Sequence, residues 1–362
     1  MQKIEVAVIG GGPAGLGAAI EAGKRGAKTW LFDENYLPGG QLFKQIHKFF
    51  GSKDHYAGVR GFKIGEMLLE QAQAAGVNLK LNSKVLGILE DGSIAVQEND
   101  TFKTYHSQTV VVATGAKENA LVFPGWTLPG VMTAGAAQTF VNVHRVKPGR
   151  RALVVGSGNV GLILSYQLSQ AGIQVAAVVE AQKTITGYDV HAGKVKRLGI
   201  PILTSHTVKK ALGTSKVEQA VVVKLDENLT EIPGTEQVFD VDMLCLAVGL
   251  SPRNELIRQF KCRTIYLGHL GGKVPVHNLF METSRANVFV AGDVAGVEEA
   301  STALEEGRVA GIAAAARLGY LGQDEAQSII EEYWQHLNSL RSGQKIRLEA
   351  KKTILREGVQ GE

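Results

Sequence analysis

Cysteine is the scarcest chemistry-bearing residue in this chain: 362 residues hold two, Cys245 and Cys262, and neither lies in a CxxC pair. This usage argues against a disulfide scaffold, a zinc site or a redox-active dithiol, and makes a reducing compartment the default expectation. Proline is sparse at 9 against 43 glycines without a periodic spacing, so neither a collagen-like nor a disordered chain fits. No run of about 18 apolar residues occurs; Gly, Ser, Gln or a charge interrupts each candidate, which excludes a spanning helix. Neither sign of charge dominates: 39 Lys and Arg are scattered among 35 Asp and Glu, a balance that does not imply nucleic acid. Nine histidines include no HExxH and no pair at ligand spacing, so no metal site is expected. The apolar run from Ile4 to Ile9 begins almost at Met1, leaving no space for a signal or transit peptide. The expected location is cytoplasmic, with peripheral attachment to a membrane through a partner left open.

What is present is length and a repeated theme. With 44% hydrophobic residues, the chain can bury two medium cores. Residues 4–34 and 151–180 each read as an apolar run, a Gly-rich turn, a helical stretch and a second apolar run closing on an acid. That is the pattern of a β-α-β unit. In the first, Gly10, Gly12, Pro13, Ala14 and Gly15 belong to a GxGxxG turn between strand and helix. Gly10 permits the tight turn, Gly12 lets the backbone approach a pyrophosphate, and Gly15 lets helix and strand pack closely. The helix N-terminus favours the negative charge. Asp33, 18 positions after Gly15 and followed by Glu34, is placed to accept hydrogen bonds from a ribose. In the second, Gly156, Gly158, Asn159, Val160 and Gly161 repeat the turn, and Glu180 stands 19 positions after Gly161. A carboxylate there pairs with a 2′-hydroxyl and repels a 2′-phosphate, so NAD(H) is expected over NADP(H). Two alternatives stay open: a Gly-rich turn without ligand, and a duplicated unit that kept its fold after losing its nucleotide.

The rest of the chain is arranged around these units. Residues 63–76 read as an amphipathic helix, and 77–112 as short strands ending at Ala113-Thr114-Gly115. FPGWTLPG at 123–130 reads as a crossing between domains, and from about 262 the chain returns to the first domain through a strand and the Gly292-Asp293 turn. Helices follow from about Glu299 and from 324 to 341. The fold class is therefore α/β, with two Rossmann-like domains, the second inserted in the first. The expected division is 1–122 with 262–342 for FAD, 123–261 for NAD(H), and a basic tail at 343–362, read as a solvated end or a docking arm.

The first fingerprint, Gly39-Gly40-Gln41, Ala113-Thr114-Gly115, the second fingerprint and Gly292-Asp293 together resemble the two-dinucleotide-binding-domain flavoproteins that include thioredoxin reductase. The resemblance implies that Gly40 and Gln41 lie near FAD, that Ala113, Thr114 and Gly115 touch its adenosine half, and that Asp293 hydrogen-bonds the ribityl chain. It also implies that the helix starting near Glu299 and Ala300 aims its N-terminus at the flavin, where a positive helix end stabilises reduced flavin. The CxxC of thioredoxin reductase is missing, so disulfide reduction is not expected; Cys245 reads as a core residue.

Segments 39–62, 124–150 and 291–311 resemble, more narrowly, the FAD- and nucleotide-binding subunit of heteromeric amine dehydrogenases and oxidases of the dye-linked L-proline dehydrogenase, sarcosine oxidase, opine oxidase and hydrogen cyanide synthase kinds. That resemblance implies an amino-acid-oxidase-like partner subunit that oxidises the amine. Phe43, Phe49, Phe50 and Tyr56, among the basic residues Lys48, Lys53 and Arg60 and beside His47, are expected as docking anchors, or else as packing over the flavin domain. Three functions compete: a cofactor-bearing subunit of such a complex, a free-standing NADH:acceptor reductase, and a non-catalytic nucleotide-binding partner. No catalytic side chain is identified, because flavin and nicotinamide carry the redox chemistry themselves.

Overall fold

The computed structural model describes residues 2–49 and 52–359. It forms two compact units: Met1–Lys117 with Ser251–Glu362, and Glu118–Leu250, which runs between those segments in sequence. The unit limits fall before the expected 122 and 261 because of where side chains bury. Leu256 and Ile257 join the core of the first unit, and Leu121 packs against a core of the second.

In the first unit the strands Asn78–Lys80, Thr29–Phe32, Gln2–Ile9 and Thr101–Val112 lie side by side in that order, all parallel. Val288–Val290 adds in parallel to the end of Thr101–Val112, while Ile94–Glu98 and Ser83–Ile88 continue antiparallel from its beginning. The long strand divides along its sequence. Its first four residues are exposed, whereas Thr109 to Val112 are buried, as a strand covered on both faces requires. Helix Ala300–Arg317 is buried almost all round and packs on helix Pro13–Lys24. A Cβ on Gly307 or Gly311 would land on the carbonyls of Ala14 and Ala18, so the two backbones touch where only glycine leaves room.

The second unit repeats the parallel core in the order Ile202–Thr204, Gln174–Glu180, Arg151–Val155, Met243–Leu246, Val131–Thr133. A three-stranded antiparallel sheet, His206–Leu212, Gln219–Lys224 and Gln237–Asp240, accompanies it. Cys245 is fully buried there, and burial, with Glu118 behind it, pushes its thiol up to about 12.

Two expectations about the surface need correction. The basic tail is a helix, Lys345–Val359, whose Ala350 and Ile354 bury against Leu270 and Val274 and whose Lys351 is 2% exposed. Its dense charge hid the i, i+4 apolar pair. Phe49 and Tyr56 pack, half-buried, against the first core instead of standing out as anchors, and Phe43 is half-buried with its ring against Gly39. Phe50 lies outside the described residues. No helix among the described residues is long and apolar enough to cross a membrane.

Candidate dinucleotide sites

In an open parallel sheet, ligands sit beyond the carboxyl ends of the strands. At that edge of the first unit, Ile9 is flanked by Phe32 and Val112, and each strand delivers one expected loop. Gly10 turns at φ +106°, its N–H donating to the Phe32 carbonyl at 2.8 Å; a Cβ there would strike the Ala113 carbonyl. Gly15 packs against the Gly10 carbonyl. Gly12, the residue before Pro13, has ordinary extended backbone, and a Cβ on it would meet nothing nearer than Gly40 Cα at 4.0 Å. The Gly39-Gly40 turn is held there by Gly39 N–H donating to the Gly11 carbonyl at 2.6 Å. A slot free of side chains therefore lies over the start of helix Pro13–Lys24, as a pyrophosphate needs.

Asp33 is 5% exposed and turned into its own loop, accepting from Gly11 N at 2.5 Å and from Asn35 N and Nδ2 at 2.7 and 2.8 Å. Glu34 points outward and pairs with Arg253 at 3.1 Å. Arg253 also connects to the next loop: its N–H donates to the Gly115 carbonyl and its carbonyl accepts from Thr114 Oγ1 at 2.8 Å. No sequence signal marked Arg253, which lies 219 positions from Glu34. Gln41 is exposed, on the short helix Gly40–Lys44.

Gly292 lies against Ala14, and Asp293 follows it. Among the described residues the Asp293 carboxylate takes one hydrogen bond, from Glu298 N at 3.3 Å. Burial, with Glu306 adding repulsion, pushes its carboxyl up to about 6. A half-satisfied buried acid beside a Gly-lined slot suits a ligand that brings hydroxyl donors, as a ribityl chain would. Helix Ala300–Arg317 begins nearby without a side-chain cap from Glu299, and Ala300 and Ser301 line a small apolar cavity with Pro13, Leu42 and His55.

Two acids missed in the sequence stand side by side on that helix. Glu305, fully buried, meets His55 Nε2 at 3.3 Å and Arg308 at 2.6 Å. Burial works against its charge, but these partners hold its carboxyl below the usual range. Glu306, 1% exposed, accepts from Gly292 N at 2.9 Å, Arg341 at 2.5 Å and Lys351 at 2.7 Å. The available signal was an adjacent acid pair in a helix otherwise rich in Ala and Gly, which demands buried cations elsewhere.

The second unit repeats the geometry of the first. Gly156 turns at φ +107° with its N–H on the Val179 carbonyl, and Gly161 packs on the Gly156 carbonyl. A Cβ on Gly158 would find only Thr186 Oγ1, 3.9 Å away. Glu180, 7% exposed, accepts from Ser157 N and Oγ at 2.8 and 2.7 Å, Gln182 N at 2.9 Å and Thr186 Oγ1 at 3.2 Å. Asn159 opens helix Asn159–Gln170 and accepts from Tyr188 N at 2.9 Å, while the Val160 side chain is exposed. Lys183 is paired with Glu227 at 2.7 Å. No group of His, Cys, Asp and Glu among the described residues could hold a metal ion.

Residues 4–307 match the family described as pyridine nucleotide-disulphide oxidoreductase. The HcnB component of hydrogen cyanide synthase from Pseudomonas aeruginosa is 30% identical over 94% of this chain and 76% of its own length. An opine oxidase subunit of Agrobacterium tumefaciens is 30% identical over 93% of this chain and 70% of its own. The L-proline dehydrogenase structure from P. horikoshii is similar with a TM-score of 0.73 at 24% identity. The chain covers 59% of it, with 93% of this chain aligned. Thioredoxin reductase of T. acidophilum is similar with a TM-score of 0.72 at 20% identity, over 88% of this chain and 99% of that one. At these identities the two structures speak for the fold alone.

Proposed function

The chain belongs to the pyridine nucleotide-disulphide oxidoreductase family, and from that premise we propose that it is the FAD-bearing subunit of a heteromeric amine or imino-acid dehydrogenase or oxidase. The observation that carries the FAD part of this reading is the first unit's Gly12–Gly40 slot, with Gly292, the residue before Asp293, packed against Ala14 at the start of the same helix. Gly10, Gly12, Gly15, Gly40 and Ala113 to Gly115 hold the dinucleotide, Asp33 and Glu34 face its ribose side, and Asp293 with the start of helix Ala300–Arg317 meets the flavin half. FAD supplies electron acceptance and donation; the protein's part is to bind, orient and bias its charge. Disulfide chemistry does not fit: both cysteines are buried, and Cys245 holds its proton to about 12.

The relatives whose names denote one subunit of an opine oxidase or a hydrogen cyanide synthase support an oxidase-like partner. Purified alone, the chain is expected to carry about one FAD per polypeptide and to oxidise none of proline, sarcosine or an opine. Coexpressed with its amino-acid-oxidase-like partner, it is expected to copurify with that protein and reduce a dye with one of these amines. Full-rate amine oxidation by the chain alone would refute the subunit reading. Fast bleaching of its flavin by NADH would favour a free-standing reductase.

The second unit takes NAD(H) in this reading. Glu180 places a carboxylate at the ribose edge, and Lys183, the one cation in Ala181–Lys183, is engaged by Glu227. NADH should bind about tenfold or more tighter than NADPH, because a 2′-phosphate beside that carboxylate meets like charge. Equilibrium titration of both nucleotides checks this, and tighter NADPH binding would contradict it.

A further inference from the structure

The Gly292–Glu298 segment rests on a buried ionic cluster fed by the last two helices of its unit. Arg341, at the end of helix Gln323–Arg341, is 2% exposed and grips Glu298 through Nε at 3.0 Å and through its terminal nitrogen at 2.6 Å, and Glu306 at 2.5 Å. Lys351, from helix Lys345–Val359 and equally buried, donates to Glu306 at 2.7 Å and to the Ala295 carbonyl at 3.2 Å. Glu306 passes the restraint on through its second oxygen to Gly292 N, and Glu298 passes it through its own N–H to Asp293. Apart from the Val297 N–H, which donates to the Leu270 carbonyl at 3.0 Å, these contacts tie the Asp293 loop to cations from the C-terminal helices. Such a cluster does little for net stability compared with an apolar one, so its retention calls for another reason.

We propose that Arg341 and Lys351 are positioning residues that lock the Gly292–Glu298 segment through Glu306 and set the pH above which the Asp293 loop takes up flavin. This deepens the FAD reading and rests on it. The groups facing Asp293 are Glu306 and Glu299 on the negative side and Lys351 on the positive, with Arg341 one residue further off behind Glu306 and Glu298. His277 adjoins the cluster but is held neutral, burial and then Lys351 pushing it down to about 4. A hydroxyl donated to Asp293 favours its ionised form, whose carboxyl otherwise titrates near 6. Below that pH flavin binding therefore releases up to one proton and weakens by up to about tenfold per unit, whereas above it binding stays full.

The cations and Glu306 act on that midpoint in opposite senses. Lys351→Met removes a positive charge, makes Asp293 harder to ionise and should move the midpoint of FAD affinity up by about half a pH unit or more. Lys351→Arg should restore it, and Glu306→Gln should move it down. The test is FAD titration of the flavin-stripped full chain, followed by flavin fluorescence from pH 5 to 8, with circular dichroism to confirm each fold. A purely structural brace would weaken binding equally at every pH. Unmoved midpoints in folded variants, or shifts of one sign in both, overturn the inference while leaving the FAD reading intact. A wild-type chain that takes up no FAD overturns both. Should Lys351→Met not fold, the downward shift in Glu306→Gln still decides.

Discussion

Gly12→Val is expected to leave the fold standing and empty the flavin site. Gly12 sits at φ −74° and ψ −177°, extended backbone that valine adopts readily, and its missing Cβ faces open space bounded by Gly40 Cα. Folding stability should change by no more than about 0.5 kcal/mol. FAD affinity should fall about a hundredfold or more, since the branched side chain fills the slot and removes at least one charge-assisted backbone hydrogen bond worth about 1.5–3 kcal/mol. Gly15→Ala provides the contrast three residues later. Its Cβ would land on the Gly10 carbonyl inside the strand-helix junction, so a single methyl should cost about 3 kcal/mol of stability. Urea denaturation with the ratio of flavin to protein absorbance separates the two outcomes. Full FAD retention by folded Gly12→Val would remove the slot from the site.

The second large effect is on folding stability. Arg341→Ala should destabilise the chain by about 3–5 kcal/mol, because it strips the shared cation from Glu298 and Glu306 in a dry setting. Burial opposes the charge of Glu306, and Lys351 and Arg341 outweigh that to hold its carboxyl well below the ordinary range. With Arg341 gone, Lys351 alone must serve both carboxylates. Sign follows from linkage: a carboxyl depressed in the folded state contributes stability above its unfolded value near 4.5, and that contribution is lost as pH falls below it. The deficit of Arg341→Ala relative to wild type should therefore be largest at neutral pH and narrow on acidification. Unfolding free energies at pH 7 and about pH 3, the latter inside the window from 4.5 down to about 2 in which the contribution is lost, measure it, and an equal deficit at both would argue that lost packing, not charge, is the cause.

How the loops meet was partly written in the sequence. The two strand-turn-helix units were legible because everything that makes them is local: about 30 residues, glycines at steps that backbone collision enforces, and an acid at the end of the second strand. Gly10 and Gly156, with φ of +106° and +107°, and Gly15 and Gly161, packed on their carbonyls, are the same constraint met twice. Helix Gln323–Arg341 was legible for the same reason, an apolar face at helical spacing.

What only the tertiary structure decided is which charges are buried and with whom. Asp33 and Glu180, read as ribose acceptors, also tie down their own Gly-rich turns, since each folds back on a backbone N–H 22 or 23 positions earlier. Lys351, in the tail read as a solvated end or a docking arm, and Arg341, which no sequence signal marked, became the support of the Asp293 loop because chain reversal brings them to Glu306 from 45 and 35 positions away. The titration of Asp293 near 6 depends on the same closure. Local pattern settles backbone shape by sterics within a turn or two, whereas a carboxylate's state depends on desolvation and on distant partners, and those exist only once the chain has packed.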